Sequence, residues 1–403
     1  MKKLRVGVWL HELFQPTEGG GYGYYQLLLK RINTYNFKDA EIVYLSTDKE
    51  LARYNFKNKY HIQWVPYQEK PESRSTRLLN RLTGRKTDGA QAEKRRQAHE
   101  LLLKQELNKQ VDVIYYASPQ VAILNFPFVS TVWDLGHLSM FAFPEVSMNH
   151  IFEGRKNFHD IYIPKSLMVF AESETGKNQL VKYMGLNEQR IKVVPLFPSE
   201  LITDAVSSQR PPAIAEDDFF IHYPAQFWAH KNHFNLLVAF KQVLVSFPKL
   251  KLIFTGSDKG NKEYIQQVIA EMGLSRHVVD LGFVSMEELK WLYLHSQGLV
   301  MATFLGPTNM PLVEAAELGC PVACSTLGGH IEQIGDYGYY FDPKNPDDMA
   351  KQICSMLNDN ALKIKRPYVS TFTVENALKA IDEAFSELRH IRFCWGEKDE
   401  LSN

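Results

Sequence analysis

Residues 306–329 read GPTNMPLVEAAELGCPVACSTLGG, and this stretch decides the fold expected for the chain. The polar segment GPTN precedes a helix start with Pro311 and Glu314, and the chain returns through Gly319 and Pro321 to a short apolar run. A strand, a polar loop and a helix start make an anion site, because unpaired backbone N–H groups and the helix dipole point at the loop. Glu314, one turn inside, is placed to hold a ribose hydroxyl beside a bound phosphate. An ordinary loop-to-helix junction is the alternative.

Short β-rich runs alternate with amphipathic runs along most of the chain, which is typical of parallel sheets with covering helices. The predicted strands are residues 4–10, 41–45, 111–116, 128–133 and 167–171, then 219–223, 251–254, 278–281, 298–301 and 322–324. Helices are predicted over residues 235–246 and 262–272. The pattern therefore predicts an α/β protein whose two doubly wound, Rossmann-like domains face a central cleft, where ligands bind beyond the carboxyl ends of the strands.

The chain length of 403 residues also suits two domains. We predict an N-terminal domain over residues 1–198, a linker over 199–218 and a second domain over 219–385. Residues 386–403 form a tail that could pack back on the first domain.

The composition excludes several classes of protein. Lys plus Arg equals Asp plus Glu at 46 each, so no global charge favours nucleic-acid binding. The four cysteines have no zinc-site spacing, and no metal is predicted. An apolar run after the first residues breaks at His11 and Glu12, so it predicts a strand and not a signal peptide. With no stretch long enough to span a membrane, the sequence predicts a cytoplasmic protein.

Residues 68–110 depart from the alternating pattern, because they are rich in Lys and Arg and have helical apolar spacing. One interpretation is a basic amphipathic surface that meets anionic lipid or a lipid-linked acceptor, giving peripheral contact with the inner face of the membrane. The favoured interpretation is a solvated helical insertion whose leucines pack on the domain, since acidic residues interrupt the basic run.

Three places carry residue types suited to chemistry, apart from the opening stretch. Gly20 and Gly21 follow the first strand and allow a ligand to lie against the backbone. Lys231 precedes a helix, with Gln226 on the loop before it, and the two can supply a cation and a neutral donor to a diphosphate; a surface lysine is the alternative. Asp134 follows a buried strand, with a histidine three residues on; either could contact a substrate hydroxyl or satisfy a turn.

In the second half, YPAQFWAHKN, KLIFTGSD, LGFVSMEELKWLY and GPTNMPLVEAAELGCPV follow one another. Their order resembles the nucleotide-sugar domain of retaining GT-B glycosyltransferases of family 4, in particular a branch active on bacterial polysaccharides such as O-antigens. The resemblance covers about residues 219–343, and the first domain is less closely matched. It implies that the second domain binds the nucleotide sugar and that the first domain binds the acceptor.

The resemblance implies roles for individual residues. Lys231 would neutralise the donor diphosphate and Glu314 would hold the ribose, while Asp134 or His137 would orient the sugar or the acceptor. The other residues implied at the donor site are Gly20, Gly21, Gln226, Gly256, Phe283, Val284, Glu288, Thr308, Asn309, Met310 and Pro311. Phe283 and Val284 would border the base, which Glu288 could approach. The backbone N–H groups of Asn309 and Met310 would be available to the donor.

Three positions depart from the family pattern. Gly306 stands where the first glutamate of the family pair is expected, Gln226 where an arginine precedes the phosphate lysine, and Trp133 where a histidine ends the strand. The lost arginine removes a charge-assisted contact, which contributes roughly twice a neutral one. Thr308 and Asn309 could replace the lost glutamate.

The function implied is a metal-independent transferase that moves a hexose from a nucleotide-diphosphate sugar to a glycan or lipid-linked acceptor and needs no separate cofactor. The departures leave open a non-catalytic GT-B protein that binds glycans or chaperones a transferase. A sugar-nucleotide epimerase is weaker, because no acid/base carboxylates can be placed. The donor could be guanosine diphosphate mannose, thymidine diphosphate rhamnose or a uridine diphosphate hexose.

Overall fold

The structure is a computed structural model and describes residues 2–11, 20–47, 55–62, 89–121, 125–361 and 367–394. The strands of the first domain are β1 (Leu4–Trp9), β2 (Ala40–Ser46), β3 (Lys59–His61), β4 (Val113–Tyr115), β5 (Phe128–Val132), β6 (Met168–Ala171) and β7 (Ile191–Val193). They form a seven-stranded sheet in the order β3-β2-β1-β4-β5-β6-β7. All its neighbouring pairs are parallel.

Helices cover this sheet and frame its carboxyl edge. They are α1 (Gly20–Thr34), α2 (Gly89–Gln110), α3 (Gly136–Ser139), α4 (Pro144–Ser147), α5 (Ile151–Ile161) and α6 (Glu174–Met184). Helix α1 buries Tyr25, Leu28 and Leu29 in the domain core, because their spacing places them on one face of the helix.

The second domain repeats the arrangement with six strands. They are β8 (Phe220–Pro224), β9 (Lys251–Thr255), β10 (Val278–Asp280), β11 (Leu299–Met301), β12 (Val322–Ser325) and β13 (Gly338–Phe341). The order is β10-β9-β8-β11-β12-β13, and neighbouring strands are again parallel. Its helices are α7 (His233–Ser246), α8 (Lys262–Glu271), α9 (Met286–His295), α10 (Met310–Glu317), α11 (Gly328–Ile334) and α12 (Pro346–Ala361).

The predicted doubly wound architecture is thus confirmed. In each sheet the order of the strands reverses once, between β1 and β4 and between β8 and β11. Loops that leave the carboxyl ends of strands at such a switch point diverge to opposite faces and open a crevice for ligands. Strands β3, β7 and β13, each at an edge of its sheet, were not predicted.

The last helix, α13 (Val374–Arg392), belongs to the first domain. Ile381 and Phe385 lie in the core of that domain, and the Arg389 guanidinium pairs with Asp39 at 3.1 Å. The boundary predicted at residue 385 therefore falls inside a helix, and the return to the first domain begins before Val374. The predicted second domain is too long by this segment. An amphipathic helix has no sequence mark for which domain covers its apolar face.

The described part of the 68–110 segment is helix α2. Leu103 and Leu107 pack into a core cluster with Trp9 and Ile114 of the first sheet. This packing agrees with the insertion interpretation for α2, while residues 68–88 lie outside the described ranges. Contact of this segment with a membrane stays a prediction. Over the ranges that the structure describes, no helix combines the length and the apolar character needed to cross a bilayer.

Candidate active site

Two loops of the second domain meet at its switch point. The loop after β8 ends in a 3-10 turn (Ala229–Lys231), and the loop after β11 leads to Asn309 at the N-cap of α10. Lys231 Nζ donates a hydrogen bond to Asn309 Oδ1 at 3.0 Å. Burial lowers the pKa of Lys231 to about 8, against the opposing effect of the Asp134 and Glu145 charges. At neutral pH the cleft therefore contains a partly buried ammonium beside the start of a helix.

Both domains line a cavity beside the loop that leads to Asn309. It has a volume of about 190 Å³ and is bordered by Ser139 and Thr175 of the first domain and by Gly306, Pro307 and Gly328 of the second. The loop that the sequence singled out therefore faces the first domain across the cleft. A sugar-sized molecule bound here would contact both domains.

The backbone of Asn309 differs from the prediction. Its N–H donates to Gln333 Oε1 at 2.9 Å, and its carbonyl accepts from Gln333 Nε2 at 3.2 Å. This N–H is thus engaged and not available to a diphosphate. The signal that was missed is Gln333 itself, which lies 24 residues away in sequence and reaches Asn309 from α11.

Gly306 has a structural reason for having no side chain. Its φ is +100°, a conformation that side chains disfavour, and a Cβ there would lie 3.3 Å from Asn309 Nδ2. The Asn309 amide thus lies next to the position where the family glutamate would project. Thr308 on the loop and Pro311 in the first turn of α10 lie on either side of it in the sequence, and both are half-buried.

The Glu314 carboxylate is 4% exposed and already holds three hydrogen bonds. Its Oε1 accepts from the Ser199 backbone N–H at 3.2 Å and from Ser199 Oγ at 2.5 Å. Its Oε2 accepts from Tyr293 Oη at 3.1 Å. Glu314 thus joins α10 to the segment that links the domains, and ribose binding would add to these bonds or replace the bond to Ser199.

Gln226 and Gly256 shape the end of β8. The Gln226 amide donates to Ser257 Oγ at 3.0 Å and accepts from Trp228 Nε1 at 3.1 Å, so its polar atoms are satisfied locally. Gly256 has a φ of +138°, and a Cβ there would lie 2.5 Å from the Ala225 carbonyl oxygen. Only glycine fits at this close approach of two loops.

The predicted base-binding turn lies between β10 and α9. Phe283 is 84% exposed and Val284 is half-buried. Glu288 accepts from the Ser285 backbone N–H at 2.9 Å and completes a capping box with the Ser285 hydroxyl. The carboxylate therefore has a structural task at the start of α9, and base contact stays a prediction.

In the first domain, Gly20 is the first residue of α1 and approaches the second domain closely. A Cβ on Gly20 would lie 2.7 Å from Met310 Cε, so the starts of α1 and α10 meet across the cleft. Gly21 follows it on α1. Trp133 packs against the first-domain core, with its ring 6.0 Å from that of Tyr24.

The Asp134 side chain is partly exposed, whereas His137 is buried. The Asp134 carboxylate accepts from the Gly136 N–H at 2.7 Å and pairs with Arg155. Burial alone would raise the pKa of Asp134, but the Arg155 charge and the hydrogen bonds hold it below its ordinary value. His137 is 1% exposed, and its ring packs 4.6 Å from that of His159. This burial argues against the predicted contact of His137 with a substrate.

Two contacts between the domains carried no sequence signal. The Glu145 carboxylate accepts from the His230 backbone N–H at 2.8 Å and from His230 Nδ1. The Glu332 carboxylate of α11 accepts from the Glu174 and Thr175 N–H groups at 2.7 and 2.9 Å, at the start of α6. A negative charge at a helix N-terminus is stabilising. Charged contacts therefore hold the domains together around the cleft.

Glu172, at the end of β6, is a further buried acid that sequence reasoning missed. It is 4% exposed, and burial raises the pKa of its carboxyl to about 8. Gly176 makes room for it, since a Cβ on Gly176 would lie 2.4 Å from Glu172 Oε1. The carboxyl is mostly protonated at neutral pH.

The known proteins to which this sequence is similar are glycosyltransferases. Residues 207–369 match the family model of glycosyl transferases group 1. An uncharacterized glycosyltransferase of Methanocaldococcus jannaschii is 26% identical over 231 residues, 55% of this chain and 57% of the relative. The O-antigen chain mannosyltransferase B of Escherichia coli is 29% identical over 133 residues, 32% of this chain and 35% of the relative. The matches thus span 35% to 57% of these relatives.

The fold extends the similarity to both domains. The crystal structure of Anabaena HepE in complex with UDP and glucose matches with a TM-score of 0.57 at 16% identity, covering 96% of this chain and 98% of that one. The chain has the α/β GT-B fold, with two Rossmann-like parallel-sheet domains. The second domain is thus similar to glycosyl transferases group 1, and both relatives named above are glycosyltransferases.

Proposed function

We propose that this protein is a retaining, metal-independent hexosyltransferase that uses a nucleotide-diphosphate sugar in bacterial surface polysaccharide synthesis. The observation that carries the proposal is the Lys231–Asn309 pair beside the start of α10. An ammonium and a helix N-terminus can together stabilise the charge that develops on a departing diphosphate. The acceptor is a glycan or a lipid-linked oligosaccharide.

The named relatives support the choice of substrate class. One matching structure contains UDP and glucose, and one relative is a mannosyltransferase of an O-antigen chain. The resemblance to family 4 implies that the donor phosphate takes the proton of the acceptor hydroxyl. Lys231 then provides the positive charge that a metal ion provides in other transferases, and Asp134 orients the sugar or the acceptor. We place the protein in the cytoplasm.

A donor screen on the full-length protein tests the proposal. Melting temperatures are measured with UDP, GDP and dTDP, and release of the diphosphate is measured with the corresponding hexose donors. We expect one nucleotide to raise the melting temperature, because a ligand that binds only the folded state stabilises it. Donor turnover should persist in EDTA, and NMR of the product should show the anomeric configuration of the donor. No binding of any nucleotide would contradict the proposal.

A non-catalytic GT-B protein that binds glycans or chaperones a transferase is the second candidate. The observation in its favour is that the Asn309 N–H, the Glu314 carboxylate and the Gln226 amide all have protein partners. Calorimetry separates the two candidates, since a non-catalytic protein of this kind would bind an oligosaccharide but none of the three nucleotides.

A further inference from the structure

A chain of buried hydrogen bonds extends from Lys231 into the interior of the second domain. Asn309 Oδ1 accepts from Lys231 Nζ at 3.0 Å, and Asn309 Nδ2 lies 2.8 Å from His330 Nε2. His330 Nδ1 lies 2.9 Å from the Ser325 carbonyl oxygen. His330 is 0% exposed and Asn309 is 9% exposed.

The Ser325 carbonyl, the last group in this chain, determines which atom donates in each of the hydrogen bonds. The Ser325 carbonyl can only accept, so the proton of His330 must lie on Nδ1. Burial lowers the pKa of His330 to about 3, so the ring is neutral and its Nε2 accepts. The Asn309 amide nitrogen must then point at His330, and its oxygen must point at Lys231.

Two further features hold the Asn309 amide in this orientation. Gln333 makes two hydrogen bonds to the Asn309 backbone and fixes its position at the start of α10. Gly306 has no side chain that would crowd Asn309 Nδ2, since a Cβ there would lie 3.3 Å from it. The Asn309 amide is therefore held by the hydrogen bonds of its backbone to Gln333 and by the His330 acceptor.

We propose that His330 is a positioning residue for the Lys231 ammonium and acts through the Asn309 amide. The inference rests on the proposed role of Lys231 at the donor diphosphate. An oxygen that points at the lysine favours its charged form and fixes the direction of the ammonium. A reversed amide would present N–H groups to the ammonium and would favour the neutral amine.

The groups around Lys231 set the sign of the pH effect. Asp134 and Glu145 raise the pKa of Lys231 from the first domain, while burial lowers it to about 8. His230, His233 and His330 lie near it in its own domain, and burial lowers the pKa of each of them. These three rings are neutral above neutral pH. Lys231 therefore loses its positive charge as the pH rises through about 8. Without Asn309 Oδ1, we expect the charge to be lost at lower pH.

Two substitutions test the roles of the two ring nitrogens of His330 separately. In His330→Gln the side-chain oxygen can replace Nε2 and still accept from Asn309. In His330→Asn the shorter amide can replace Nδ1 and keep the bond to Ser325, but Asn309 loses its acceptor. Asn309→Ala removes the link itself, and the double variant Asn309→Ala/His330→Asn tests whether His330 acts only through it.

The first readout is the pKa of Lys231, measured by NMR on protein with labelled lysines and assigned with Lys231→Arg. We expect His330→Asn and Asn309→Ala to lower this pKa, and His330→Gln to leave it close to the wild-type value. His222→Asn is the control for loss of a buried histidine. The His222 ring is 0% exposed and contacts Thr255 Oγ1 at 2.9 Å, so this variant should lose stability without changing the pKa of Lys231.

The second readout is the pH profile of kcat/KM. We expect His330→Asn to lower kcat/KM about tenfold at neutral pH and to move the alkaline limb to lower pH, with His330→Gln within about threefold of wild type. The double variant should be no worse than Asn309→Ala. Equal Lys231 pKa values in wild type, His330→Asn and Asn309→Ala would overturn the inference. If no donor turns over, the proposed function fails, while the NMR measurement still decides the role of His330.

Discussion

The two sides of the cleft hold their predicted residues in different ways. On the second-domain side, Lys231 and Asn309 are hydrogen-bonded to each other, and Gly306 and Pro307 of the same loop as Asn309 border the cavity. On the first-domain side, Asp134 is paired with Arg155 and His137 is buried behind it. Sequence motifs place all four residues near the ends of strands. What each side chain can contact depends on its neighbours in space, so the second-domain side is expected to carry most of the chemistry.

Lys231→Ala tests this expectation most directly. We expect kcat/KM to fall at least about a hundredfold, because the charge on the leaving diphosphate loses its nearest cation. Lys241→Ala, at an exposed lysine of α7, is the matched control and should keep wild-type turnover. Near-normal turnover by Lys231→Ala would remove the basis of the proposed mechanism.

Glu314→Ala should also lower turnover about a hundredfold, through loss of the ribose contact and of the link to Ser199. Urea unfolding should show a stability loss of about 2 kcal/mol, since Tyr293 and Ser199 lose their acceptor. Ser199→Ala removes one of these donors and keeps the carboxylate. A similar loss of turnover in Ser199→Ala would indicate that Glu314 is mainly structural.

Asp134→Asn tests the first-domain side. The substitution removes the charge that pairs with Arg155 and that supports the charged form of Lys231. We expect about a tenfold lower kcat/KM, with its alkaline limb moved to lower pH because the pKa of Lys231 falls. A loss of kcat/KM as large as that of Lys231→Ala would show that the two sides of the cleft contribute equally to turnover.

His137→Leu is the companion test at the same loop. Neither ring nitrogen of His137 has a hydrogen-bond partner in the described part of the chain, and burial lowers the pKa of this residue to about 4. An apolar side chain therefore leaves no partner unsatisfied, and turnover should stay within about threefold of wild type. A hundredfold loss would restore His137 to the catalytic role predicted from sequence.

Glu332→Gln should have the smallest effect. The carboxylate accepts two N–H groups at the start of α6 and so favours the contact between the domains. We expect KM for the donor to rise about two- to fivefold with kcat unchanged, the size typical of a charge at a helix end. Glu375→Gln, in the first turn of α13 within a single domain, is the control. An unchanged KM would show that this contact does not support donor binding.

Sequence reasoning predicted the fold well where a periodic signal was long. The strands beginning near Leu4 and Lys251 and the helices beginning near His233 and Lys262 agree with prediction to within one or two residues. The short strands β3, β7 and β13 were missed. The prediction divided helix α13 between two domains, because an amphipathic pattern does not indicate which domain core the apolar face will cover.

The candidate site was predicted only in part, for a related reason. Local motifs identify Lys231, Asn309 and Glu314, since a loop before a helix has a recognisable composition. They do not identify His330, Gln333 or Glu332, which reach their partners from α11 or across the cleft. A hydrogen bond between residues far apart in sequence leaves no local pattern.

The sequence by itself determined two parallel-sheet domains, the loop at residues 306–329 and the lysine beside it, because strand and helix periodicity and turn composition are local properties. Only the tertiary structure decided that Gly306 makes room for the Asn309 amide, that this amide turns its oxygen to Lys231, and that His137 is buried. Burial and hydrogen-bond direction depend on which atoms meet in space, and the packing of the two domains sets that.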